Sequence, residues 1–239
     1  METFHTEKFR ELGLPGDSTY DAAGDVAAVR ETARGYAVAS VAYRPASAAP
    51  FPAQLDDLLA AIDWLRAHAS MLNIDPKRVA AWGAGAGGHL AALVGTRGNV
   101  QAVIDWSGIA DPATLQADAL GCSTIDWNAP TSPAAMLIGC SPADCPDSAA
   151  ASAPARYARR GNPPMLLMHG DADCFISPAQ SESLYGALTH AGVDATLRLV
   201  GGIDHDSTFW SSGAAFAEVE SFLERSLERS EGRGRAVRH

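Results

Sequence analysis

The segment from Val79 to Leu90 concentrates the residues whose type and spacing point to chemistry: Val79-Ala80-Ala81-Trp82-Gly83-Ala84-Gly85-Ala86-Gly87-Gly88-His89-Leu90. An apolar run enters a glycine-rich turn and a small-residue stretch leaves it, which reads as strand, tight bend and helix. Two chemistries use such a bend. In the first, Gly83, Gly85 and Gly88 satisfy G-x-G-x-x-G, a turn that presents backbone N–H groups at a helix N-terminus to a pyrophosphate. Asp105 stands twenty residues beyond Gly85, near the end of the next strand, where an acid would meet a ribose hydroxyl. That reading implies an oxidoreductase using NAD. The pattern is short, and turns rich in Ala and Gly generate it by chance. In the second, Gly83-Ala84-Gly85-Ala86-Gly87 occupies the frame G-x-S-x-G, the sharp turn that exposes a nucleophilic serine. Its middle position holds Gly85. Glycine tolerates strained backbone angles better than any other residue, so the bend can persist where the nucleophile is gone. The turn alone does not choose between the two.

The elements that must position this turn alternate along the chain. Gly35 to Tyr43, Arg78 to Trp82, Val100 to Trp106, Pro164 to Met168 and Ala195 to Val200 read as strands. Gln54 to Ala69 reads as an amphipathic helix with Leu55, Leu58, Leu59, Ile62 and Leu65 on one face. Gly87 to Gly95, Pro178 to Ala191 and Ala214 to Arg229 are the other helices. Strand–helix alternation of this kind predicts an α/β fold, a parallel, doubly wound sheet covered on both faces. The stretch from Ala110 to Asn162, rich in Ala, Ser, Pro and Asp, reads as short helices and loops inserted over one end of the sheet. The expected organisation is an irregular segment over 1–20, one domain over 21–229 and a frayed, flexible tail over 230–239.

Composition narrows the function classes. The chain has 239 residues, 18 Lys+Arg against 28 Asp+Glu, and 47% hydrophobic residues. A formal net charge of −10 argues against a general nucleic-acid surface, since a polyanion is repelled. No apolar run reaches the ~18 residues of a membrane span. The charged N-terminus has no apolar signal-peptide core, so the expected location is the cytoplasm, or outside the cell if the N-terminus is trimmed. Cys122, Cys140, Cys145 and Cys174 form no CxxC pair, so a zinc site is not expected. Cys140 and Cys145 are close enough to bridge across a loop in an oxidising compartment. Four free thiols in a cytosolic protein is the alternative.

Beyond the turn, further segments carry a family pattern. They are Tyr43-Arg44-Pro45, Ala49-Pro50-Phe51-Pro52-Ala53-Gln54-Leu55-Asp56-Asp57, Ala61-Ile62-Asp63-Trp64-Leu65-Arg66 and Ile74-Asp75-Pro76-Lys77-Arg78-Val79. Later come His169-Gly170-Asp171-Ala172-Asp173 and Gly201-Gly202-Ile203-Asp204-His205. With these, the chain from about Asp21 to Leu227 resembles the α/β-hydrolase superfamily, in particular esterases and lipases of the hormone-sensitive-lipase and feruloyl-esterase-like kind. The resemblance covers most of the chain in the family's order. It implies the chain order nucleophile, acid, His, and so places the nucleophile position at Gly85, the acid at Asp173 and the base at His205. It also implies that the Ala86 N–H supplies one oxyanion donor. It calls for no cofactor and no metal. The partner it implies is a small-molecule ester or acid.

Other residues near these positions have plainer readings. Asp171, the rival acid, reads as a turn residue. His89 reads as packing or capping at the bend, His169 as a strand-end residue with a satisfied ring, and His5, His68, His190 and His239 as solvent-facing. Ser107, Ser123 and Ser207 are the other candidate nucleophiles, but none lies on a sharp strand-to-helix turn.

The sequence departs from the family in two places. Gly85 carries no hydroxyl, so no acyl-enzyme can form there. The His-Gly-Gly-type turn that supplies the second oxyanion N–H is absent, and the fold is expected to be shortened on its N-terminal side. The missing strand would lie between Tyr36–Tyr43 and Val79–Trp82, leaving an exposed edge that favours self-association, or making those two segments pair directly. The expected function is therefore an ester-hydrolase-type protein with absent or very low turnover. A non-catalytic ligand-binding protein on the same fold and the NAD-dependent oxidoreductase are the alternatives.

Overall fold

A computed structural model describes residues 34–232, with side chains to 227. The segment expected over 1–20 and the end of the tail lie outside the described residues. Four strands form one parallel sheet in the order β1 (Ala80–Ala84), β2 (Ala102–Trp106), β3 (Met165–Gly170), β4 (Ala195–Val200). The register pairs Trp82 with Ile104, Ile104 with Leu166, and Leu166 with Thr196. The long helices are α1 (Ala53–Ala67), α3 (Ala86–Arg97), α7 (Ala179–His190) and α8 (Gly213–Gly232), with a short α2 (Ala69–Leu72) following α1. Between β2 and β3 lie three short helices, α4 (Leu115–Asp118), α5 (Pro133–Ile138) and α6 (Pro146–Ala151), and a 3₁₀ turn at Pro154–Tyr157. This is the expected insertion.

The two-residue period of the strands divides the core. Val103, Met165 and Leu167 face one side, where Leu55 of α1, Leu90 and Leu93 of α3 and Leu184 and Leu188 of α7 cover them. Ala102, Ile104, Trp106, Leu166 and Met168 face the other, under Phe216, Val219, Phe222 and Leu223 of α8. β2 and β3 are buried on both faces, which is why they read as unbroken apolar runs.

One expected strand does not form. Tyr36 to Tyr43 carries a single bridge at Ala39 and no ladder. Among the described residues no strand lies beside β1 opposite β2, so this segment neither pairs with β1 nor extends the sheet. Its apolar residues serve packing instead, with Tyr36 against the α8 side of the core and Tyr43 against the α1 side. Arg44 fixes the end of the segment to α1: its Nη2 donates to Asp57 Oδ1 at 2.8 Å and its Nε to Oδ2 at 2.9 Å.

The cysteines are paired: Cys140 with Cys145, and Cys122 of the insertion with Cys174, fifty-two residues on. Spacing had suggested the first pair but gave no sign of the second. His68 also differs from its solvent-facing expectation, stacking on Trp64 at 4.2 Å with Nδ1 2.8 Å from the Trp64 carbonyl.

Candidate active site

The site is assembled where β1 turns into α3. Gly85 stands at the bend with φ +55° and ψ −117°, angles that an L-residue adopts only with strain. Its N–H donates to the Trp106 carbonyl at 2.8 Å, which ties the bend to β2. The glycines around it answer to close approach. A Cβ on Gly83 would lie 2.1 Å from the Gly87 carbonyl carbon, so the strand presses directly on the first turn of the helix. Cβ atoms on Gly88 and Gly108 would lie 2.2 and 2.3 Å from Asp105 Oδ1. The glycine spacing that satisfied G-x-G-x-x-G is thus used for packing.

Asp105 sits beneath this bend, 1% exposed, with Oδ1 accepting from the Gly108 N–H at 2.9 Å. Burial pushes its carboxyl up to about 7, against the pull of His169 and of that hydrogen bond. So enclosed a carboxyl offers no face to a ribose hydroxyl, and the role that the dinucleotide reading gave Asp105 does not fit its position.

Asp173 and His205 come from the loops after β3 and β4. Several contacts clamp the two loops together. Gly170 lets the Ile203 carbonyl approach, since a Cβ there would lie 2.0 Å from that oxygen. The Ala172 N–H donates to the same carbonyl at 3.1 Å, and Asp171 accepts from the Gly202 N–H at 2.6 Å, the turn role expected of it. The Asp204 carboxylate accepts from the His205 N–H at 2.7 Å, and its backbone carbonyl accepts from Trp210 Nε1 at 3.2 Å.

Asp173 is fully buried and fully engaged. Its Oδ1 accepts from the N–H groups of Phe175 and Ile176 at 2.9 and 2.8 Å. Its Oδ2 accepts from His205 Nδ1 at 2.7 Å and lies 3.2 Å from His169 Nε2. Burial works to raise the Asp173 carboxyl, but His169, His205 and the Ile176 N–H outweigh it and hold the group well below the usual carboxylate range. His169 Nε2 also faces the Ile176 carbonyl at 2.9 Å. Both its neighbours are acceptors, so Nε2 carries the proton and Nδ1 accepts from the Ser181 hydroxyl at 2.7 Å. The ring is satisfied, as expected, but it also serves as a second donor to the acid.

Burial works to lower the His205 imidazole, and the Asp173 hydrogen bond and charge, with Asp206 and Asp204, raise it above its ordinary value. With Nδ1 engaged by Asp173, the other ring nitrogen faces the bend. A Cβ on Gly85 would lie 3.1 Å from His205 Nε2 and 3.6 Å from Cε1. The structure therefore brings positions 85, 173 and 205 together. Ala86 is the first residue of α3, so its N–H is one of the first-turn donors that have no carbonyl within the helix.

The alternative serines are placed elsewhere in function. Ser207 caps the 3₁₀ turn Thr208–Ser211 by accepting from the Phe209 N–H. Ser123 Oγ accepts from the Ile125 N–H at 3.4 Å within the insertion. Ser107 follows β2 in a left-handed conformation, φ +52°, buried and with no partner for its hydroxyl among the described residues. His89 is buried, with Nδ1 2.8 Å from the Ile109 carbonyl, in keeping with its packing role.

Sequence reasoning missed the aromatic wall of the site. The Phe175 ring lies 5.0 Å from His205 and 5.9 Å from Trp127 of the insertion, and the Cys122–Cys174 bridge ties the same two segments. Phe175 and Cys174 directly follow Asp173, which was the available signal. Among the described residues, no group of three or more His, Cys, Asp or Glu could hold a metal, and no helix is long and apolar enough to cross a membrane.

The BD-FAE family model matches residues 15–188. The chain belongs to the BD-FAE family. Among its relatives, esterase LipQ of Mycobacterium tuberculosis is 30% identical over 166 residues, 66% of this chain and 39% of LipQ. Carboxylesterase NlhH of the same species is 44% identical over 57 residues, 24% of this chain and 18% of NlhH. The chain thus spans well under half the length of these relatives. A truncated form of a carbohydrate esterase from gut microbiota superposes with a TM-score of 0.72 at 29% identity, covering 79% of this chain and 73% of the other. An acetyl ester-xyloside bifunctional hydrolase from Caldicellulosiruptor lactoaceticus superposes with a TM-score of 0.67 at 22% identity, over 92% and 81%. This member of the BD-FAE family has the α/β-hydrolase fold and is an esterase homologue of the hormone-sensitive-lipase and feruloyl-esterase-like kind.

Proposed function

We propose that this chain is an ester-hydrolase-type protein that engages small esters or their product acids and turns them over very weakly or not at all. The observation that carries the reading is Gly85 at the bend, its missing side chain 3.1 Å from His205 Nε2 at the Cβ position. In this reading Gly85 occupies the nucleophile position, His205 is the base, Asp173 fixes its tautomer, and the Ala86 N–H is an oxyanion donor. Without a hydroxyl at 85 the acyl-enzyme route is closed. What remains is binding, the oxyanion donor and a slow attack by water. Loss of a triad member typically leaves ~10³–10⁴-fold catalysis over water.

The test is p-nitrophenyl acetate and butyrate turnover on purified protein. Turnover near background is expected, together with a rise in melting temperature when the ester or its acid is added. Robust turnover abolished by His205→Ala overturns the inactivity. A melting temperature that no ester or acid shifts removes the ligand-binding part. The two disulfides support an oxidising compartment over the cytoplasmic location suggested by the charged N-terminus.

A further inference from the structure

We propose that a cleft at the far end of α3 from the bend binds a phosphate-class oxyanion, a doubly charged group carried free or on a small phosphate monoester. The cleft has a volume of about 380 Å³ and is lined by Thr96, Arg97, Arg156, Tyr157, Ala158 and Arg159. Three of these residues are arginines and none is an acid, in a chain whose formal net charge is −10. Ala86 is the first residue of α3 and Arg97 the last, so the cleft stands roughly 16 Å along the helix from the candidate active site. The proposal is independent of the roles given to Gly85, Asp173 and His205.

The arginines are held in place without being used up. A basic residue at a helix C-terminus ordinarily serves the last carbonyls. Here Asn162 Nδ2 takes that part, donating to the Thr96 carbonyl at 3.2 Å and to the Gly95 carbonyl at 3.4 Å. The Arg97 guanidinium lies instead over the Tyr157 ring, 4.8 Å from its centre, a contact that consumes no hydrogen bond. Arg156 meets Asp111 at 3.7 Å through Nε, beyond hydrogen-bonding distance. The Arg159 backbone N–H donates to Asn162 Oδ1 at 2.7 Å, and its side chain has no hydrogen bond or ion pair among the described residues. The other side-chain donors of the cleft are engaged: Thr96 Oγ1 donates to the Ala92 carbonyl at 2.9 Å and the Tyr157 hydroxyl to the Ala151 carbonyl at 3.0 Å. What is left for a ligand is guanidinium N–H groups, whose planar forks match the paired oxygens of a tetrahedral oxyanion.

Charge decides the class of ligand. Three cations lining one cleft repel one another, and no lining carboxylate offsets them. A ligand bringing two negative charges therefore gains more than one bringing a single charge. The acidic chain as a whole opposes a long polyanion, so the fitting ligand is small. The volume leaves room for an organic group beside the phosphate.

The experiment measures the melting temperature and the heat of binding of the full chain with inorganic phosphate, glucose 6-phosphate, glucuronate or sodium chloride. Ionic strength is matched, at about pH 8, where phosphate is doubly charged. The expected result is saturable binding of phosphate and glucose 6-phosphate with a rise in melting temperature, no effect of chloride, and glucuronate binding about tenfold weaker. Arg97→Gln and Arg159→Gln should each weaken phosphate binding about tenfold, the loss of one charge-assisted contact, and together abolish it. Circular dichroism confirms that the variants are folded, and Arg159→Gln removes a side chain the fold does not engage. Glucose 6-phosphate binding tighter than phosphate assigns the cleft to a monoester, and the reverse order to the free anion; both support the site. A rise that chloride reproduces, phosphate binding undiminished in the folded double variant, or a preference for glucuronate overturns the proposal.

Discussion

His205 Nδ1 and Asp173 Oδ2 meet at 2.7 Å across two loops that follow different strands, thirty-two residues apart in sequence. The carboxylate is fully buried and accepts two backbone N–H groups through its other oxygen, so it cannot turn away from the imidazole. Such a pair is organised to hold one tautomer of His205, with Nε2 directed at the bend that Gly85 forms.

The raised imidazole of His205 sets a pH dependence. A base must be neutral to accept a proton, so turnover by Gly85→Ser should fall as pH drops through a midpoint above the ordinary 6.5. Adding Asp173→Asn removes the charge and favours the wrong tautomer. The midpoint should then move down and turnover should drop by about 10²-fold or more. A pH–rate profile of the two variants checks this, and coincident midpoints count against it.

Asp105 makes stability depend on pH in the opposite sense from an ion-paired acid. Burial holds its folded carboxyl near 7, against 3.8 ordinarily, so between those values the folded state keeps a proton that the unfolded state releases. Stability contributed by this group therefore falls as pH rises from about 4 to about 7 and is level beyond. Asp105→Asn keeps an acceptor for the Gly108 N–H and removes the titration. Urea midpoints should show the variant gaining on the parent between pH 5 and pH 8. An equal difference at both values contradicts the account.

The two disulfides should differ in weight. In the chain-entropy account, the bridge spanning 52 residues contributes about 4 kcal/mol and the one spanning 5 about 2 kcal/mol. Paired Cys122→Ser and Cys174→Ser changes should lower the denaturation midpoint more than Cys140→Ser with Cys145→Ser. They should also perturb the Phe175 wall, visible as weaker ligand stabilisation.

The bend's glycines are not equivalent. Gly83→Ala places a methyl 2.1 Å from backbone and should cost about 3 kcal/mol or prevent folding, whereas among the described residues nothing beyond its chain neighbours and its own helix backbone lies within 4 Å of the Gly87 Cβ position. Gly87→Ala should be neutral or stabilising by about 0.5 kcal/mol through helix propensity. Denaturant titration of the pair distinguishes crowding from a general intolerance of the bend.

Much of this arrangement was legible because it is local. The apolar runs of β2 and β3 are buried on both sides, and a run of that kind has few other uses. The bend announced itself through Gly83, Gly85 and Gly88, although the same letters also fitted a phosphate turn. The family segments favoured the hydrolase frame, and Asp105's burial, a tertiary fact, took away the role that the phosphate-turn reading gave it. Asp173 and His205, which the structure brings together, were singled out through family order, since nothing in their spacing brings the two loops together. Tyr36 to Tyr43 misled because a short apolar run can pack on a core without pairing. The Cys122–Cys174 bridge and the second hydrogen bond to Asp173 from His169 depend on chain paths that no local pattern encodes.

The central claim is that position 85 faces a working His205, and the direct measurement is active-site labelling of Gly85→Ser with a fluorophosphonate, read by peptide mass spectrometry. The account predicts a stoichiometric adduct on the introduced hydroxyl that is lost when His205→Ala is added. A folded Gly85→Ser protein that stays unlabelled, or is labelled equally well without His205, would contradict it.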